Sequence, residues 1–178
     1  MRKVAGTFFA AALALPIGLA ASPAGAAAGT TCKTSAGEAT FSPPLPKIGS
    51  TTLVKTVLTA TGTLSGCVGG GVTGGQVKTV SAKSSGSNCS TQVANKTISK
   101  ATETIVWNTK QTSTIAITLS PVKGKPSTNK AVSGTVTSGL FKGLHQTGLT
   151  VFTPATGSCT TTTLASVTYK NGKPAVFH

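Results

Sequence analysis

TGTLSGCVGGGVTGG, residues 61–75, runs an alternating strand-like pattern into Cys67 and then into five glycines within seven residues. Thr61 to Cys67 reads as the end of a strand, and Gly69 to Gly75 as the turn that leaves it. Glycine loses more backbone entropy on ordering than any other residue and weakens a strand interior. A covalent tie at Cys67 to the N-terminal segment offsets that looseness by holding the strand end in register. A phosphate-cradling loop is the competing reading, since Gly-rich turns present N–H groups to anions. The stretch matches neither G-x-G-x-x-G before a helix nor G-x-x-x-x-G-K-[ST].

The same two-residue period continues on both sides. Leu58, Ala60 and Leu64 share one face with Val54, and Ile115, Ile117 and Leu119 share another. Val132, Gly134 and Val136 repeat the pattern, as do Leu149 and Val151. Further strands are predicted at Val77 and Val80, around Trp107 in TETIVWN, in CTTTTLASVTY and in the final PAVFH. Trp107, flanked by Ile105 and Val106, reads as core. Asn171-Gly172 predicts a hairpin turn, because a type I′ turn needs positive φ at both central residues. SPPLPKIGS predicts a stiff extended connector, and SPVKGKPSTNK an exposed loop. No segment sustains a helical period. About eight or nine short strands without intervening helices predict an all-β, antiparallel fold: a sandwich (Ig-like or related) first, a closed β-barrel as the alternative.

The first residues have the parts of a secretory signal: Arg2 and Lys3, an apolar stretch from Val4 to Ala21, and Ala24-Gly25-Ala26 as the exit. Cleavage after Ala26 leaves residues 27–178 as a single β domain with a flexible start, and no later run is long enough to span a bilayer. Cys32, Cys67, Cys89 and Cys159 all lie in that part. An even count in an exported chain predicts two disulfides. Of the three pairings, Cys32–Cys67 with Cys89–Cys159 is favoured because it ties neighbouring segments. The predicted location is secreted, in contact with the cell envelope. Asn88-Cys89-Ser90 and Asn95-Lys96-Thr97 match a glycosylation sequon by chance, since the signal is of bacterial type.

Charge is the other large signal. Beyond residue 26 the chain has fourteen Lys, no Arg, no Asp, and only Glu38 and Glu103 as acids, a net charge of +12 before the termini. Such a surface attracts polyanions in a salt-dependent way. Lys78 and Lys83, Lys96 and Lys100, and Lys123, Lys125 and Lys130 form local groups. Without Arg, and with few aromatics, they suit diffuse attraction to an anionic envelope polymer or lipid headgroups rather than sequence-specific nucleic-acid reading. The opposing reading is that lysines keep Thr-rich edge strands from aggregating. SGLFKGLHQTG sets Phe141, Lys142 and Leu144 around a turn. That turn is either an exposed apolar wedge or, the preferred reading, an inward cap on the core.

Catalysis has little to work with. The titratable inventory is His145, His178, Glu38 and Glu103, with His178 at a terminus where order is poor by default and both acids expected at the surface beside lysines. No G-x-S-x-G elbow, carboxylate pair or metal-ligand spacing stands out, so no catalytic residue, metal or cofactor is expected. The expectation is a non-catalytic binding or structural module. Alternatives are a membrane-interacting or pore-forming effector with Thr-rich hairpins, and a secreted enzyme or inhibitor.

The combination of an Ala-rich signal with ATFSPPLP, GTLSGCVGGGVTGG, SNCS, GTVTSGLFKG and a late GSC resembles small secreted proteins of high-GC Gram-positive actinobacteria. The resemblance implies export and a disulfide-linked β domain, and brings no catalytic residues.

Overall fold

A computed structural model describes residues 28–83, 86–92 and 99–178. The signal-like segment 1–26, Asn95 and Lys96 lie outside the described residues. Eight strands follow in order: β1 (Thr30–Leu45), β2 (Val57–Val68), β3 (Gly74–Lys83), β4 (Ser99–Trp107), β5 (Thr112–Pro121), β6 (Asn129–Gly139), β7 (His145–Gly157) and β8 (Leu164–Phe177). A single helical turn, α1 (Cys89–Gln92), sits between β3 and β4. Each strand pairs antiparallel with the next, and β1 pairs with β8 to close the sheet.

The architecture is therefore the closed barrel and not the sandwich. Both bury one face of each strand, so alternation alone does not separate them. What separates them is the β1–β8 ladder, which runs from Thr30↔Phe177 to Leu45↔Leu164 and leaves no free edge. β1 begins at Thr30, whose side chain is buried.

Several local expectations change. Asn171-Gly172 is not a hairpin: β8 runs straight through it, and the Asn171 side chain serves β1 instead. Its Oδ1 accepts from the Ser35 amide at 3.1 Å and its Nδ2 donates to the Lys33 carbonyl. Those bonds stand where the β1–β8 register breaks between Cys32 and Ala36. Pro43 and Pro44 belong to the end of β1, at its second register break, where no ladder bond is asked of a residue without an N–H. Val77 and Val80 both face inward despite their odd spacing because β3 shifts register between Val77 and Thr79. Val54 lies outside β2, in an isolated bridge to Ser87.

The two ends of the barrel differ. One end is plugged by Trp107, Phe141 and Phe177, with Trp107 edge-on to both phenylalanines at centroid distances of 5.2 and 5.4 Å. Trp107 Nε1 donates to Ser113 Oγ at 2.8 Å, and the Ser113 hydroxyl passes the chain on to the Leu140 carbonyl. The β2–β3 turn packs on this plug: a Cβ at Gly70 would stand 2.4 Å from the Phe141 ring. Cys32 and Cys67, directly opposite in the β1–β2 ladder, are joined there. The other end carries the longer loops, including 46–56 and α1, and a second disulfide joins Cys89 to Cys159.

Candidate functional site

Alternation along β4 decides the barrel interior. Ile105 and Trp107 face inward and are buried, so Glu103, two residues earlier, faces inward as well. It is paired with Val80 on β3 and Ile115 on β5, both buried and apolar. This corrects the expectation that both acids are surface residues; Glu38 is exposed and Glu103 is not. On β7 the inward set is Gln146, Thr150 and Phe152, while Leu149 and Val151 lie on the outer face over Gly172.

Glu103 and Gln146 meet across the interior. A hydrogen bond from Gln146 holds the Glu103 pKa down, so the amide Nε2 is the donor and a carboxylate oxygen the acceptor. Desolvation is the larger effect and pushes Glu103 from 4.5 up to about 7. The second amide atom, Gln146 Oε1, is buried and has no hydrogen-bond partner. Tyr169 on β8 also faces in. It lies over Gly37 and Gly62, whose missing Cβ atoms leave room for the ring, and donates its hydroxyl hydrogen to the Thr61 carbonyl at 3.2 Å. Burial, and then the negative charge of Glu103, push its hydroxyl up to about 12.

These polar groups line a cavity of about 70 Å³ inside the barrel. On the same measure a single water needs roughly 10–15 Å³. The rest of the wall is mainly apolar, with Leu58, Ala60, Leu64, Val80, Ile117 and Ala175 among its residues. Residues of both faces of β7, from Gln146 to Thr150, contribute, together with Asn171 and the exposed Lys173 on β8. The cavity thus reaches the surface along the β7–β8 seam. There the register shifts twice near Leu149, and Pro174 has no N–H to give.

The residues singled out from sequence fall in several places. Lys83, Lys100, Lys123 and Lys125 are exposed at the loop end of the barrel, where Lys47 and Lys55 join them. Two exposed apolar side chains, Ile48 and Leu53, stand on the same loop as those two. Lys78 is exposed mid-strand and Lys142 at the plugged end. Lys130 does not belong with Lys123 and Lys125 at the surface: its side chain is buried, and desolvation lowers its ammonium pKa from the usual 10.5. Phe141 is 2% exposed and forms the plug, with Leu144 packed against the core, so the turn is the inward cap and not the wedge. His178 is held in a backbone pair with His145, at 2.7 and 2.9 Å. Asn88 of the first sequon is buried.

Among the described residues no group of three or more His, Cys, Asp or Glu could hold a metal ion, and no helix is long and apolar enough to cross a membrane. Comparison with known proteins finds no matching family model, no matching curated protein and no matching solved structure.

Proposed function

We propose that the protein is an exported, non-catalytic binding module whose barrel interior takes up one small, largely apolar molecule. An eight-stranded barrel leaves an interior just wide enough to be filled by side chains or to hold one small ligand. The observation that carries the reading is the unfilled, apolar-walled cavity holding a buried carboxyl and an unpartnered amide oxygen. For stability alone, apolar residues of similar volume at Glu103 and Gln146 serve better, because buried polar groups cost free energy unless fully paired. A few convergent polar groups in an apolar cavity are what a ligand site needs. The two disulfides suit an oxidising, extracellular setting.

The test is an amide-shift NMR titration with small apolar solutes such as n-butanol. Shifts should concentrate at Glu103, Gln146 and Tyr169, and an Ala60→Leu variant, which fills the cavity, should lose them while keeping the barrel spectrum. Shifts scattered over the outer surface, and unchanged in that variant, refute the reading.

A second reading concerns the outside. The lysines at the loop end, beside Ile48 and Leu53, support association with an anionic envelope polymer or lipid headgroups. The pore-forming alternative lacks such support. The outward residues Thr59, Thr61, Thr63 and Ser65 of β2 are polar and exposed, whereas a bilayer-spanning barrel presents an apolar band to lipid.

A further inference from the structure

The character of the polar groups at the buried end of the cavity narrows the ligand further. Gln146 directs one N–H of Nε2 to Glu103 and leaves Oε1 open. Tyr169 spends its hydroxyl hydrogen on Thr61 and leaves only oxygen lone pairs. Asn171, nearer the seam, has both its amide atoms engaged by β1. Glu103, once ionised, has only acceptors to offer. The buried end is therefore richer in hydrogen-bond acceptors than in donors, with the second Gln146 N–H and the Thr150 hydroxyl as its donors, and it is enclosed by aliphatic side chains.

We propose that the cavity's ligand is a small primary amine with an apolar body, held as its ammonium ion by the Glu103 carboxylate and Gln146 Oε1. This rests on the reading of the cavity as a ligand site and specifies the head group that site takes. An ammonium has three donors and no acceptor, which complements these groups, whereas a carboxylate ligand would set acceptors against acceptors. The apolar wall takes the hydrocarbon body. The lysines outside are solvent-facing and screened at physiological salt, while the carboxylate acts in a low-dielectric interior, so the two fields do not cancel.

Proton balance follows from the protonation of Glu103. The carboxyl must be ionised to hold an ammonium, so an alkylammonium entering a protonated site expels one proton to solvent. A neutral amine instead takes that proton itself. The groups facing Glu103 are Gln146 on β7 and Tyr169 on β8, and its ladder neighbours Val80 and Ile115 are apolar. Lys173, at the seam, is the cation among the cavity-lining residues; Lys130 is not one of them. With Glu103 pushed up to about 7 and Tyr169 to about 12, Glu103 sets the response between pH 5 and 8.

The test is calorimetric titration of the full disulfide-bonded protein with n-butylammonium, n-butanol and sodium butyrate at pH 5, 7 and 8. The amine should bind at least about tenfold tighter than the alcohol at pH 8, and its affinity should fall by up to about tenfold per pH unit below 7. Butyrate should not bind. Glu103→Gln should reduce amine affinity to the level of butanol and remove the pH dependence, with butanol binding kept as evidence of an intact cavity. Butanol or butyrate binding as tightly as the amine overturns the amine assignment while leaving the cavity a ligand site. Binding of none of the three, with Glu103→Gln folded, overturns both.

Discussion

Tyr169 reaches across β1 to the carbonyl oxygen of Thr61 on β2, two strands from its own, and it does so through the space left by two glycines. A Cβ at Gly62 would stand 2.3 Å from the Tyr169 hydroxyl, and one at Gly37 would stand 2.1 Å from the Thr61 oxygen. Gly37 is paired with both Gly62 and Tyr169, so the three residues form one row of the barrel wall. Gly62→Ala should destabilise the fold by about 1–3 kcal/mol, the usual cost of overpacking. Tyr169→Phe, which removes only the hydrogen bond, should cost about 1 kcal/mol. Denaturant unfolding checks both; a Gly62→Ala variant as stable as the parent would show that the ring and the Ala36 carbonyl, 2.4 Å from such a Cβ, can both move away.

Glu103 makes stability depend on pH in an unusual direction for an acid. Its folded value, about 7, lies above the ordinary glutamate value of 4.5, so the folded state holds its proton more tightly than the unfolded chain. Its contribution is fully present below 4.5 and is lost as pH rises through 7. The loss is on the order of 3 kcal/mol by linkage. Thermal melts between pH 4 and 8 should show this decline, and Glu103→Gln should flatten it and be the more stable protein at pH 8. A parent whose stability rises over that interval would show that Glu103 has a charged partner in the folded state.

How far the barrel was legible in the sequence depends on the range of the contact. Ile115, Ile117 and Leu119 face inward as the two-residue period requires, and so do Val132, Gly134 and Val136, because these faces are set by local alternation. Glu103 was legible by the same rule, two residues from Ile105 and four from Trp107, but the ordinary preference of carboxylates for water argued the other way. Gln146 was hidden because the apolar pair that sets the local alternation of its strand, Leu149 and Val151, points outward. Nothing local distinguishes the barrel from a sandwich, since the deciding pairs, such as Thr30 with Phe177, join the two ends of the domain. The row of Tyr169, Gly37 and Gly62 is equally non-local. Asn171-Gly172 misled because its amide repairs a break in β1, a demand that comes from another strand.

The disulfides act on different parts of the barrel. Cys32 and Cys67 are 35 residues apart and join two strands already paired along their length. Cys89 and Cys159 are 70 apart and join two loop segments at the opposite end. On the chain-entropy model each removes roughly 4 kcal/mol of unfolded-state freedom. Replacing Cys89 and Cys159 by Ala should lower the unfolding midpoint and speed hydrogen exchange in loop 46–56, whose Ile48 amide donates to the Cys159 carbonyl and whose Pro46 carbonyl accepts from Cys89. Replacing Cys32 and Cys67 should loosen the 69–73 turn instead. Uniform exchange changes in both variants would show that the ends are not independent.

The plug gives a sharper result. Phe141 is buried against Trp107 and Phe177 and also abuts Gly70. Phe141→Ala should cost about 3–5 kcal/mol, and Phe141→Asp should prevent a cooperative fold, because an unpaired carboxylate against the two remaining rings has no partner. Near-ultraviolet circular dichroism of Trp107 reads both. A folded Phe141→Asp variant with an unchanged Trp107 signal would mean that this turn can leave the core.

The lysines at the loop end test the outer surface separately from the cavity. Lys47, Lys55, Lys83, Lys123 and Lys125 are exposed there, and the acids elsewhere cannot neutralise them: Glu103 is buried and Glu38 lies on the wall of β1. Replacing all five by Gln removes five positive charges from one end and leaves the ladder bonds intact. If this end binds anionic polymer or lipid, the variant should elute from heparin, and from vesicles containing phosphatidylglycerol, at markedly lower salt than the parent. Replacing Lys33, Lys78, Lys110, Lys142 and Lys170 makes the same change in charge away from that end. Should the second set lower the elution salt as much as the first, attraction depends on net charge alone and the loop end is not a docking surface. If the parent elutes below physiological salt from both matrices, the lysines serve solubility.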